Sequence, residues 1–218
     1  MKVIICGMHR SGTSMIAGLL ELCGLYLGNN LLSGLSDNPK GHFEDREFLS
    51  LNRQLLRAGG STWHQNLPFK LTTVPKPLLA KMKLFVSKWP ADRVVGWKDP
   101  RACLTLPLWR QVIEPEPLRV VLIFRPYIEI AMSLKKRNRF ALEKGIWLCD
   151  YYCRTAEQNV KDIPHIVTYY HKYFSDWQSE LARVAEFLGL SIPDNRAAIE
   201  KFIDVSLWHH RERFNEYS

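Results

Sequence analysis

The stretch Gly7-Met8-His9-Arg10-Ser11-Gly12-Thr13-Ser14 follows a short apolar run, Val3 to Cys6, and leads into a periodic apolar segment carrying Met15, Ile16, Leu19, Leu20, Leu22 and Cys23. Strand, glycine-bounded turn and helix in that order bring successive backbone N–H groups and a helix N-terminus to one point, an arrangement that binds an anionic oxygen. The outer spacing, glycine, four residues, glycine, one residue, serine, is that of a P-loop. Where a nucleoside-triphosphate loop places lysine before the final hydroxyl residue, this chain has Thr13, and its cation within the turn is Arg10, three positions earlier. A cation inside the turn suits a 5′-phosphate whose leaving oxygen sits at the loop better than it suits a metal-chelated triphosphate. His9, Arg10, Ser11, Gly12, Thr13 and Ser14 are the expected phosphate contacts.

Strand-like runs recur at Lys2 to Cys6, Arg93 to Trp97, Leu118 to Phe124 and His165 to Tyr169, with helical segments between them. The helical segments are Gly12 to Cys23, Asp45 to Arg57, Lys76 to Lys88, Leu106 to Val112, Pro126 to Lys136, Leu142 to Val160, Asp176 to Leu188 and Asn195 to Phe202. This alternation reads as an α/β fold with a parallel sheet. The first and third strands lack polar alternation, as strands covered on both faces do, so they are expected at the centre. The expected architecture is three-layer α/β/α, with a central parallel sheet of about four or five strands, and 218 residues fit one domain, 1–218.

A net charge of +8 favours a ligand with several phosphates, but the basic residues are scattered, so nucleic acid is not an expected partner. The five cysteines, Cys6, Cys23, Cys103, Cys149 and Cys153, form no C-x-x-C pair and leave one over, which argues against a disulfide framework and against a metal site. No apolar run has the length of a membrane span, and nothing resembles a signal peptide. A soluble, reduced, cytoplasmic protein is the expectation; no feature encodes its oligomeric state.

Ligands of open α/β sheets gather beyond the carboxyl ends of the strands. Those ends carry Arg10, then Lys98-Asp99-Pro100-Arg101, then Arg125, whose following helix bears Ser133 and Arg137 four residues apart on one face. Two guanidiniums and a hydroxyl there can close on a single phosphate. Arg137 alone also fits a solvated basic face with Lys135 and Lys136. The irregular segment Gly28 to His42 is the best candidate for an active-site loop. A second loop, Gly59 to Thr73, with Trp63, His64 and Phe69, fits either an acceptor pocket or an ordinary connection. Tyr169-Tyr170-His171 can reach an adenine or cover the sheet, and Trp147, Tyr151 and Tyr152 read as core.

The turn Arg10 to Ser14, Lys98-Asp99-Pro100, and Arg125 with Ser133 eight positions on and Arg137 four beyond it together resemble the sulfotransferase superfamily, especially its tyrosylprotein type and bacterial relatives. The resemblance runs from about Lys2 to Arg137 and implies a P-loop-like fold. It also implies 3′-phosphoadenosine 5′-phosphosulfate (PAPS) as co-substrate and adenosine 3′,5′-bisphosphate (PAP) as product, without a metal. The turn would hold the 5′-phosphosulfate, and Arg125, Ser133 and Arg137 the 3′-phosphate. Arg10 and Lys98 would stabilise charge during transfer to a small-molecule or saccharide acceptor. Two departures stand out: no glycine-rich Arg-Lys-Gly segment follows near the C-terminus, and Pro100 occupies the histidine position of the Lys-x-His triplet. An acceptor hydroxyl needs a base. Tyrosylprotein-type enzymes use a glutamate in this interval, which implies Glu44; His42 has the more convenient intrinsic pKa, and Asp99 is a third choice. Glu44 or Asp45 can equally cap the next helix. The leading alternative is a P-loop kinase with Asp99 on magnesium; a binding module without chemistry is the third.

Overall fold

The computed structural model describes residues 1–34 and 40–208. Residues 35–39 of the Gly28 to His42 loop, among them Asn38 and Pro39, lie outside the described residues, as do residues 209–218. Strands β1 (Lys2–Cys6), β2 (Val95–Lys98), β3 (Leu118–Phe124) and β4 (His165–Tyr169) form one all-parallel sheet in the order β2-β1-β3-β4. Within the expected four or five strands, four are present. β1 and β3 take the inner positions, as their unbroken apolar runs require.

Because successive side chains point to opposite faces, the sheet builds two cores. Ile4, Cys6, Trp97, Val120 and Leu122 face helices α2 (Arg46–Ala58), α3 (Lys76–Ser87), α4 (Ala102–Ile113), α5 (Tyr127–Asn138) and α6 (Leu142–Asn159). Val3, Ile5, Val121 and Ile123 face α1 (Thr13–Leu22), the short α7 (Lys172–Ser175), α8 (Trp177–Leu188) and α9 (Arg196–Phe202). The layering is therefore α/β/α. Chain order reverses at β1, whose two neighbours are β2 and β3, and that reversal opens a crevice at the carboxyl ends of β1 and β3.

Three elements depart from sequence expectation. α4 starts at Ala102 rather than Leu106, although Pro107 lies inside it. Proline removes the bond to the carbonyl four residues back, that of Cys103; Asn159 Nδ2 donates to that oxygen at 2.9 Å and satisfies it. β2 is shifted toward its C-terminus, ending at Lys98. α7 follows β4 where no helical pattern is evident. α5 and α6 pack so closely that a Cβ on Gly145 would stand 2.8 Å from Ala131 Cα, which is why a glycine sits in mid-helix there.

Candidate functional site

The turn after β1 is built by two left-handed residues, Arg10 (φ 72°) and Gly12 (φ 102°). Gly12 cannot carry a side chain, since a Cβ there would lie 2.3 Å from the Tyr170 ring. At Gly7 a Cβ would meet the Ile123 carbonyl at 2.4 Å, so both glycines let the turn press against neighbouring elements. α1 begins without a capping side chain and without an acidic residue in its first turn. Its first N–H groups have no intrahelical acceptors and are left for an anion.

Around this turn lies a cavity of about 220 Å³ lined by His9, Arg10, Gly12, Thr13 and Ser14 from the turn, and by His42, Glu44, Lys98, Arg125 and Arg137 from four other segments. Five cationic side chains line it (Arg10, Lys40, Lys98, Arg125, Arg137) against two carboxylates (Glu44, Asp204), an excess that favours an anionic occupant. Arg10 Nε donates to Ser133 Oγ at 2.9 Å, and Arg125 Nη1 donates to the Arg10 carbonyl at 3.3 Å, so the turn and the end of β3 touch directly. Arg125 also pairs with Glu129 at 2.6 Å and lies over the Tyr170 ring at 4.4 Å. Arg137 is half-buried over Trp63 at 5.8 Å and lines the cavity, whereas Lys135 and Lys136 are exposed.

Lys98, at the end of β2, is 2 % exposed and donates to Glu44 Oε1 at 2.7 Å and to the His42 carbonyl at 3.0 Å. Ser14 Oγ donates to the same His42 carbonyl at 3.3 Å, tying the turn to the Lys40 to Glu44 segment. Burial raises the Glu44 carboxyl, but the Lys98 charge and hydrogen bond, followed by Arg101 and His42, outweigh it and hold the group below the usual carboxylate range. Burial, then the charges of Arg101, Arg137, Lys98 and Arg10, hold the His9 imidazole well below 6.5, so it is neutral at pH 7. Its ring packs on Trp63 at 4.4 Å, and its buried Nε2 has no hydrogen-bond partner among the described residues.

Not every expected residue reaches the cavity. Ser11 sits between the two left-handed residues with its N–H closing back onto the Met8 carbonyl and its hydroxyl buried beside Gly7, so neither group faces the ligand space. Ser133 contributes through Arg10 rather than by lining the cavity. Asp99 is 0 % exposed: Oδ1 takes Arg101 at 2.8 Å and Oδ2 takes Asn52 at 2.9 Å, which turns it into the core rather than toward an acceptor or a cation. Asp45, not Glu44, caps α2, accepting from the Glu47 and Phe48 N–H groups at 2.9 Å. Residues without a motif also enter the site. Glu129 is marked only by its place four after Arg125, and Lys40, Phe202 and Asp204 by nothing local. Lys40 Nζ holds the carbonyls of Lys201 and Phe202 at 3.0 and 2.7 Å, drawing the end of α9 onto the cavity. No helix among the described residues is long and apolar enough to cross a membrane.

No protein-family model matches this sequence, and no curated protein matches it. Solved structures do. The sulfotransferase domain of the olefin synthase of Synechococcus PCC 7002 aligns with TM-score 0.55 and 15% identity over 96% of this chain and 78% of that one. The sulfotransferase domain from the curacin biosynthetic pathway aligns with TM-score 0.52 and 14% identity over 88% and 75%. Sulfotransferase STF9 of Mycobacterium avium aligns with TM-score 0.50 and 16% identity over 98% and 69%. At such identities the likeness is one of fold, and the four-stranded parallel sheet with helices on both faces is the fold shared.

Proposed function

We propose that this chain is a sulfotransferase, acting as a single domain over residues 1–218, that moves a sulfuryl group from PAPS to the hydroxyl or amine of a small-molecule or saccharide acceptor, in the cytoplasm and without a metal. The observation that carries the reading is the contact between two anion-binding clusters. With Arg125 Nη1 3.3 Å from the Arg10 carbonyl and both side chains lining it, the turn after β1 and the end of β3 border one cavity, as a donor phosphorylated on both sides of its ribose would require. The fold likeness to sulfotransferase domains supports the same reading.

In this reading the N-terminus of α1 and Arg10 hold the 5′-phosphate, Arg125 and Arg137 hold the 3′-phosphate, and Ser133 acts through its hydrogen bond from Arg10. The acceptor oxygen attacks sulfur in line; the bond from sulfur to the 5′-phosphate oxygen breaks, and PAP leaves with that electron pair. The acceptor proton passes to Glu44. A carboxylate held ionised by Lys98 is a weak base, yet it suffices when the transition state is loose, because the acceptor hydroxyl becomes acidic only late. Lys98, already aimed into the cavity, offers its charge to the sulfuryl or bridging oxygens. His42 lines the same cavity and is the competing base.

Thermal unfolding with PAP in the absence of magnesium, against unfolding with Mg–ATP, tests the donor. At a hundredfold excess over Kd, PAP should add about 2.7 kcal/mol of stability. Stabilisation by Mg–ATP alone would instead identify a phosphotransferase. That role would need a magnesium-binding carboxylate other than Asp99, whose oxygens are committed to Arg101 and Asn52.

A further inference from the structure

A second cavity, of about 270 Å³, adjoins the first across the Trp63 side chain. Trp63 lines it while packing on His9, which lines the first; likewise Pro100 lines the first and its neighbour Arg101 the second. None of the residues around it is acidic, and three carry guanidinium groups: Arg53, Arg57 and Arg101. Arg53 and Arg57 stand one turn apart on α2, both exposed, and neither forms an ion pair with any described residue. The only carboxylate of α2, Glu47, is committed elsewhere, to Lys88 at 3.0 Å. Arg101 is 8 % exposed and fixed from behind by Asp99, so its planar fork is held in place before any ligand arrives. Burial, then the charge of Lys144, keeps the His64 pKa below 6.5, so it enters as a neutral hydrogen-bonding group.

Arg101 is already paired with Asp99, but the exposed charges of Arg53 and Arg57 have no counter-charge among the described residues and repel one another, and an anion placed between them relieves that cost. His9, which lines the first cavity, and Trp63, which lines the second, pack with ring centroids 4.4 Å apart, so the two cavities lie on either side of one ring pair. We propose that the second cavity binds the acidic group of the acceptor: a small hydroxylated organic anion whose hydroxyl lies at Glu44 and whose carboxylate lies among Arg53, Arg57 and Arg101. Describing the occupant as the acceptor rests on the sulfotransferase reading; the anion site itself does not.

Calorimetric titration of the whole chain with 4-hydroxybenzoate and with its neutral counterpart 4-hydroxybenzyl alcohol, each with the first cavity saturated by PAP and without PAP, tests this. The acid should bind at least tenfold more tightly than the alcohol, with PAP present as well as absent. The double variant Arg53→Ala/Arg57→Ala should lose that preference while keeping its melting temperature, since both side chains are exposed on α2. Equal affinity for acid and alcohol, or a preference that survives in the double variant, overturns the site. Acid binding abolished by PAP would also overturn it, because the acid's carboxylate would then lie among the cations of the first cavity. Arginine-dependent acid binding in a protein that does not bind PAP would sustain the anion site and refute the sulfotransferase reading instead.

Discussion

Two buried ion pairs flank the phosphate-binding turn, and they are built differently. Arg125 and Glu129 meet at 2.6 Å within one strand-to-helix unit, four residues apart, and only the arginine lines the cavity. Lys98 and Glu44 meet at 2.7 Å across 54 residues, and both line it. In the first pair the carboxylate stands behind the cation and steadies it for a ligand; Trp208 Nε1 donates to the same Glu129 oxygen at 2.8 Å. In the second, both charges face the space where chemistry would occur. A pair with one member hidden suits binding, whereas a pair with both members presented suits a reaction that moves a proton and builds charge.

The largest expected effect that breaks this symmetry comes from Lys98→Met. Removing one partner of a buried pair leaves the other charge uncompensated, at about 3–5 kcal/mol, and sulfuryl transfer should fall with it; urea unfolding and turnover read the two losses. The double variant Lys98→Met/Glu44→Leu should regain most of the stability and none of the turnover. Glu44→Gln keeps an acceptor for the Lys98 ammonium but cannot take a proton. Its kcat should fall by about 10²–10⁴ with PAP affinity unchanged, and normal turnover would move the base to His42. Arg125→Ala should weaken PAP binding by roughly tenfold to a hundredfold, the range of a charged hydrogen bond, with kcat at saturation nearly preserved. Equal PAP affinity would remove Arg125 from the donor site.

The smallest effect concerns His9. Its folded-state pKa is depressed below the unfolded 6.5, so the stability linked to it is present above pH 6.5 and is lost as pH falls from there toward the folded value. Unfolding free energies between pH 7 and 5 should therefore show a shallower loss in His9→Gln, by at most about 1.4 kcal/mol per pH unit. An unchanged slope would mean that His9 is not the buried neutral imidazole described.

Much of this site is legible in local pattern. The glycine-bounded turn, the apolar runs of β1 and β3 and the ends at Lys98 and Arg125 are all written in short stretches of chain. Other parts resist such reading for definite reasons. The early start of α4 depends on Asn159 satisfying a carbonyl that Pro107 leaves open, a bond spanning 56 residues. Capping chemistry does not distinguish Glu44 from Asp45, because both are carboxylates at a helix start; the position of Lys98 does. Glu129 stood within reach of a pattern argument, four residues from a cation. Asp204 and Lys40 did not.

Local sequence determined which segments become strands and helices, because period, caps and glycines act over a few residues through backbone sterics and hydrogen bonding. Only tertiary structure decided that Arg10 reaches Ser133 over 123 residues and that Lys98 finds Glu44. The strand order β2-β1-β3-β4 carries three separate chain ends to one edge of the sheet, and charge–charge interaction depends on distance in space, which no separation along the chain specifies.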